Sequence, residues 1–351
     1  MKVVIIGGGI MGCATAQALA RSAVEVIVLE SAVPGGEASG AAAGILGGQA
    51  ELHGRERDVA RFMDAREAWP RWAEELGEAT GVDVGYRRSG VLRLAKNEVE
   101  REEIEKEVAW QSARGLLATL LGGEDARRIE PHVAADAIGA AHFPNDAQVD
   151  PRCVLRAILA TLAREPRVRV RPGTTASALI VSGGRCVGVK VDGGDIFADA
   201  TVIAGGSWSS LLAGFPESWP RIRPVRGQMI ELAEQPAVLS TIVFGAEGYV
   251  VPRGNGRVLC GSTTEHVGFQ RGVTAAGVAA ILSNALGCVP SLAHAQVIAT
   301  WSNFRPQVDG VQPLIGASPL EGLFLATGHY RNGILLAKTT ADTVSQAILE
   351  S

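Results

Sequence analysis

Cysteine is sparse and unpaired: residues 13, 153, 186, 260 and 288 contain no C-x-x-C, and an odd count suits reduced thiols better than a disulfide framework. The six histidines include no H-x-x-x-H pair, so the pattern argues against a metal centre. Runs of about 18 consecutive apolar residues are missing, which excludes a hydrophobic membrane-spanning helix. Positive charge is not in excess either. With 33 Lys and Arg against 37 Asp and Glu, interspersed and summing to −4, there is no basic footprint for nucleic acid or an anionic membrane. A charged stretch followed by an apolar one does not precede the first strand, which sets the expectation of a soluble, cytoplasmic protein. Repeats and low-complexity tails are also missing. What is present is a 351-residue chain, 47% hydrophobic, able to bury a large core and expected to form two domains.

The most informative stretch is the first thirty residues. Val3 to Ile6 is a short β-branched run that reads as a buried parallel strand. Gly7-Gly8-Gly9-Ile10-Met11-Gly12 follows at once and fits G-x-G-x-x-G. A small-residue helix with Ala14, Ala18 and Leu19 comes next, then a second strand, Val24 to Leu29, ending in Glu30. Strand, glycine turn, helix, strand and acid in this order make a dinucleotide fingerprint. Gly7 permits the tight turn, Gly9 lets a pyrophosphate approach the backbone, and Gly12 lets the helix lie close to the strand. The helix N-terminus offers N–H groups and partial positive charge to phosphates. Glu30 can accept both hydroxyls of an adenosine ribose and repels a 2′-phosphate, which disfavours NADP and leaves NAD and FAD. A fingerprint at residue 7 suits FAD as the founding cofactor.

Residues 31–48 are mostly glycine and alanine. Small side chains let backbone approach a flat ligand closely, so Ala38 to Ile45 is expected to lie along a pyrophosphate and an isoalloxazine ring. Apolar spacing predicts a helix from Val59 to Gly81, with a kink at Pro70 and its tryptophans in the core. A strand over Tyr86–Ala95 and an exposed helix over Glu98–Arg114 follow. Asp150-Pro151 reads as an N-cap with proline at the first helical position. Gly183-Gly184 and Gly193-Gly194 separate three short antiparallel strands. Thr201-Val202-Ile203-Ala204-Gly205-Gly206 is another buried strand ending in glycines, where the chain is expected to pass the ligand again. Residues 223–298 are strand-rich around one helix, Thr274 to Leu286. Leu323 to Gly333 repeats the strand-then-glycine pattern before a last helix. A dinucleotide domain built from 1–82, 144–220 and 299–351, with a second domain from 83–143 and 221–298 threaded between, follows from this order.

Five stretches together carry a family resemblance. They are the amino-terminal fingerprint, Ala41-Ala42-Ala43-Gly44-Ile45-Leu46, Tyr249-Val250-Val251-Pro252-Arg253, Phe304-Arg305-Pro306 and Gly328-His329-Tyr330-Arg331-Asn332-Gly333-Ile334-Leu335-Leu336-Ala337. The chain resembles the D-amino acid oxidase superfamily of flavoproteins, and within it the glycine oxidases of the thiamin-thiazole pathway. The resemblance implies an α/β FAD-binding domain of the Rossmann-like, glutathione-reductase type, assembled from discontinuous segments. It implies in addition an α+β substrate domain with a mainly antiparallel sheet. Tyr249 and Arg305 match residues that hold a substrate carboxylate, and Arg331 a second arginine beside the flavin. Noncovalent FAD falls on Gly7, Gly9, Ile10, Met11 and Gly12, on Glu30 and Ser31, on Ala38 and Ser39, and on Ala43, Gly44 and Ile45. It also falls on Ala176 and on His329, Tyr330, Arg331, Asn332, Gly333, Ile334 and Leu335. No residue is assigned to a metal.

The implied reaction is oxidation of glycine, sarcosine or small D-amino acids, with O2 giving hydrogen peroxide and the imine either hydrolysed or handed to thiazole synthase. A homo-oligomer is compatible with it. A D-amino acid or proline dehydrogenase passing electrons to a quinone is the alternative within the class. A flavin-binding tRNA-modification or sensor protein is the alternative outside it. Two positions depart from the pattern: Glu247 stands in place of histidine and Thr264 in place of methionine. If Glu247 belongs to the strand of Tyr249, the two share a face and Glu247 lies near the pocket mouth; the other reading is a solvated turn.

Overall fold

An apolar run with no alternation has to be covered on both faces, and the first strand is. In the computed structural model, which describes every residue except 235, 237 and 311, Lys2–Ile6 buries Val3, Val4 and Ile5 completely. It pairs in parallel with Glu25–Leu29 on one side and Ala200–Ile203 on the other. Val168–Arg171 and Leu323–Thr327 extend the sheet in parallel at either side, and Leu314–Ala317 closes one edge antiparallel. Three stretches remote in sequence thus make one sheet. The helices Ile10–Ala20, Val59–Thr80, Pro151–Leu162 and Gly333–Leu349 contribute to its largest core cluster. Pro70 lies inside a helix that continues unbroken from Val59 to Thr80. Trp69 and Trp72 are buried there, and Trp69 Nε1–H donates to the Leu335 carbonyl at 2.9 Å. Asp150 caps its helix as its sequence suggests, accepting from the Arg152 amide at 3.0 Å.

The second sheet has eight strands around Ile222–Ala233, which pairs antiparallel with Gln296–Val308 and Arg257–Gly261. Tyr249–Arg253 and Ile242–Phe244 follow, then Val91–Ala95, Gly139–Phe143 and Thr119–Gly122. Among the described strands of this sheet, pairing is parallel where Ile242–Phe244 meets Val91–Ala95 and antiparallel elsewhere. The three short strands Ala176–Ser182, Arg185–Val191 and Gly194–Phe197 form a separate antiparallel sheet. This is the two-part FAD fold anticipated above. The expected division at 299 falls inside Gln296–Val308, whose pairing runs from Gln296 to Val308 along Ile222–Ala233. By hydrogen bonding, 299–308 go with the second sheet. Its far end carries Arg305 and Pro306 back to the first, where Tyr330 N–H donates to the Pro306 carbonyl at 2.9 Å.

Candidate active site

The glycine turn is built as its sequence requires. Gly7 has φ +110°, and a Cβ there would sit 2.4 Å from the Ala204 carbonyl oxygen. A Cβ on Gly12 would meet the Gly7 oxygen at 1.9 Å, so the helix can lie against the turn only without one. Glu30 is fixed by amides: Gly8 N–H donates to one carboxylate oxygen and Ala32 N–H to the other, each at 2.9 Å. The Ser31 hydroxyl also donates to the oxygen held by Ala32, at 3.2 Å, so the oxygen held by Gly8 is the one that keeps capacity for a further donor. Ile10 N–H, in the first turn of its helix, donates to Ser39 Oγ at 2.9 Å.

From this turn a cavity of about 550 Å³ runs between the two sheets. Its walls bring together Gly7, Gly9, Ile10, Met11, Glu30, Ser31, Ala38, Ser39, Ala43, Gly44, Ile45 and Ala176. His329, Tyr330, Arg331, Asn332, Gly333 and Ile334 close the other side, with Gly205 and Gly206 between. Two expected contact residues lie outside the wall. Gly12 is packed behind the turn, and Leu335 is 1% exposed in the core, so both act through packing. Asn332 precedes the helix Gly333–Leu349, whose first-turn N–H groups have no acceptors within the helix and whose first two residues line this space. His329 Nε2 sits 3.0 Å from Thr340 Oγ1; burial, then the charge of Arg61, pushes its pKa down to about 3, so the ring is neutral.

At the far end Tyr249, Arg305 and Arg331 line the same cavity. The Tyr249 hydroxyl points to Met229 Sδ at 3.4 Å. Arg305 donates to the Thr263 carbonyl at 3.1 Å and to Ser262 Oγ at 2.6 Å, both neutral, so its charge is not matched by these partners. Its guanidinium lies across Gly227, where a Cβ would be 2.2 Å from Nη2. Arg331 differs: its Nε is 3.4 Å from Glu51 Oε2. Burial works to raise the Glu51 pKa, but Arg331, His53 and Arg93 outweigh it and hold it down to about 2.

Sequence reasoning missed Glu51 and Gly227. Glu51 follows a glycine pair in a loop, with no periodicity to single it out. Gly227 did carry a signal: a glycine inside an otherwise apolar strand marks close backbone approach. Of the two readings of Glu247, the solvated turn is the one the structure shows. Glu247 lies in the exposed bend between Ile242–Phe244 and Tyr249–Arg253, not in the strand, so the shared-face argument does not apply; it is absent from the cavity wall. Thr264 is exposed as well. Among the described residues no group of three His, Cys, Asp or Glu could hold a metal, and no helix is long and apolar enough to cross a membrane.

Residues 2–347 match the family model described as "DAO: FAD dependent oxidoreductase". The glycine oxidase of Geobacillus kaustophilus (strain HTA426) is 34% identical over 99% of this chain and 92% of its own length. The bifunctional protein ThiO/ThiG of Synechocystis sp. is 35% identical over 99% of this chain but only 51% of its own. The crystal structure of glycine oxidase from Geobacillus kaustophilus superposes with a TM-score of 0.94 at 32% identity, over 99% of this chain and 94% of that one.

Proposed function

The chain belongs to the FAD dependent oxidoreductase family, and from that premise we propose that it oxidises the carbon–nitrogen bond of glycine and of small amines and amino acids such as sarcosine. The observation that carries this reading is Arg305, an arginine held by neutral partners in the wall of the cavity that Tyr249 and the glycine turn also line. The residues fit FAD. Glu30 keeps acceptor capacity for ribose hydroxyls, the positive-φ turn at Gly7 and the helix at Ile10 suit a pyrophosphate, and the Ala38–Ile45 wall leaves room for a flat ring. When bound, FAD would supply the acceptor for the hydride equivalent and the route by which its electrons reach O2 as hydrogen peroxide.

The chain's own part is positioning. A guanidinium and a phenol present donors that fit a carboxylate, and a fixed carboxylate fixes the direction of the Cα–H bond. The amine must be neutral for its Cα–H to leave as hydride; this leaves a protonated imine that water converts to an oxo acid and ammonia, or methylamine where the substrate is sarcosine. A strong base is not required. The ThiO/ThiG relative, in which a comparable unit is fused to further sequence, supports handing the imine to thiazole synthase instead. Free thiols at all five cysteines suit a cytoplasmic site of action. The test is an anaerobic titration of the yellow protein with glycine. Bleaching that recovers in air is expected; a colour that glycine leaves unchanged would overturn the proposal.

Two further results are expected. With the His329 pKa near 3 and that of Glu51 near 2, the ring is neutral and the carboxylate ionised throughout the neutral range, so neither titrates there. The logarithm of kcat/KM for glycine should therefore climb with pH at a slope of about one until the substrate ammonium loses its proton. A break below neutrality assignable to Glu51 or His329 would contradict this. Gly227→Ala should push the movable end of Arg305 aside while leaving the fold intact, raising KM for glycine by about tenfold with FAD content unchanged. Parent-like KM in that variant would show that the arginine need not lie across Gly227.

A further inference from the structure

Glu51 is placed with more care than a loop residue needs. The two preceding amides are held by Asp146: Gln49 N–H donates to its carboxylate at 3.0 Å and Ala50 N–H at 2.8 Å. Arg66 donates to Gln49 Oε1 at 2.7 Å, and Gln49 Nε2 donates to Gln111 Oε1 at 2.9 Å. Gln49, Gln111 and Asp146 are completely buried. The backbone on which Glu51 sits cannot swing without breaking this network. Glu51 itself is 8% exposed and forms part of the cavity wall.

Its neighbours define a charge balance at the substrate end. Arg331 is paired with Glu51, and Arg305 has neutral partners. The other ionisable groups near Glu51 are His53, with Nε2 at 3.8 Å and half exposed, Arg93, which is paired with Glu107, and Arg55, which donates to the Glu51 carbonyl and is paired with Asp58. At this end of the wall Arg305, Arg331 and Glu51 sum to one positive charge for the ligand; the wall's other carboxylates are Glu30, held at the glycine turn, and Glu37, paired with Arg271. A first carboxylate on Arg305 uses it up. A second carboxylate directed at Arg331 meets the Glu51 carboxylate already there, and at these distances repulsion between like charges is as strong as the attraction it competes with.

We propose that Glu51 sets the charge selectivity of this pocket: by occupying Arg331 it confines the substrate to amines with one carboxylate and excludes amino diacids. The assignment rests on the amine-oxidase reading above. Glu51 acts here as a specificity residue through Arg331, and the structural alternative is an ion pair that merely steadies the loop.

The experiment compares sarcosine with iminodiacetate, which differ by an N-methyl against an N-carboxymethyl group, in the FAD-loaded parent, Glu51→Gln and Glu51→Asp. In Glu51→Gln the ratio of kcat/KM for iminodiacetate to that for sarcosine should rise by about tenfold or more. Glu51→Asp, which keeps the charge, should stay near the parent. In parallel, acetate and malonate binding is read from the shift of the flavin absorption spectrum, with no turnover. Malonate should bind Glu51→Gln about tenfold more tightly than the parent, acetate about equally, and the malonate gain should shrink as salt is raised. A loop-steadying role predicts equal losses for all four ligands, and that result would overturn the proposal. So would an unchanged ratio with unchanged malonate affinity. The parent alone also tests it, since a parent that prefers malonate to acetate contradicts the charge balance whether or not any variant folds. A parent that binds acetate but oxidises neither glycine nor sarcosine defeats the proposed activity instead, and the two failures are told apart.

Discussion

Replacing Arg305 with alanine is expected to lower kcat/KM for glycine by about 30- to 1,000-fold, the equivalent of roughly 2–4 kcal/mol for a charge-assisted two-pronged contact in a water-poor site. The direction follows from what surrounds it. Arg305 donates to a carbonyl and a hydroxyl, and neither carries a charge to offset that of a bound carboxylate. Loss of the guanidinium therefore removes the pocket's unmatched positive charge and leaves Arg331 still engaged with Glu51. Much of the loss should fall on KM, with a further loss in kcat because the carboxylate anchor also directs the Cα–H bond. The fold and the yellow colour should persist, since Glu30, Gly7 and the Ile10 helix lie at the opposite end of the cavity. Arg305→Lys should recover only part of the rate, because an ammonium offers a point charge in place of a planar fork. Unchanged glycine kinetics in Arg305→Ala would remove the carboxylate role and with it the main support for the proposed substrate.

Where the sequence was legible, one local rule governed each position. The first strand could be read because burial on both faces leaves no room for polar residues, and Val3, Val4 and Ile5 obey that everywhere. Gly7 and Gly12 could be read because backbone sterics there admit no Cβ. The Asp150 cap is likewise a local rule. Tyr249, Arg305 and Arg331 were found through the family resemblance, since nothing in their immediate surroundings marks them as neighbours. Glu51 escaped both approaches. Its meaning comes from Asp146, nearly a hundred residues later, and from Arg331 nearer the carboxyl terminus. Glu247 could be read two ways because a period-2 argument holds only as far as the strand does; the glycines at 245 and 248 mark where it ends, and the solvated turn is what forms. The expected boundary at 299 fell inside the strand Gln296–Val308, whose later residues, Asn303 and Arg305 among them, line the cavity and break the apolar pattern that would mark a strand.

Arg253 carries the largest stability effect to be expected outside the site. It is 6% exposed on the strand of Tyr249, yet it reaches across to the first sheet's loops. One nitrogen donates to Gln148 Oε1 and to the Val149 carbonyl, both at 2.8 Å, and the other donates to the Ala43 carbonyl. Burial is costly for this charge and pulls its pKa down to about 10, with Asp150 opposing the fall. Two effects then compete in Arg253→Met. Removing a buried charge relieves its desolvation, while two backbone carbonyls and an amide oxygen lose their donors in a place that water reaches poorly. Each unsatisfied acceptor costs about 1–3 kcal/mol, so the loss should win, for a net destabilisation of roughly 2–4 kcal/mol. Arg253→Lys should be nearly as damaging, because one ammonium cannot span acceptors that a forked guanidinium satisfies together. Ala43 belongs to the wall on which the cofactor ring is expected to lie, so the same variants should release FAD more readily. Thermal melts with and without added FAD check both parts. A melting temperature several degrees lower, partly restored by excess FAD, is the expected outcome. Parent-like melting with full FAD retention in Arg253→Met would mean that the carbonyls of Ala43 and Val149 find other donors, and that the contact between the two sheets is held elsewhere.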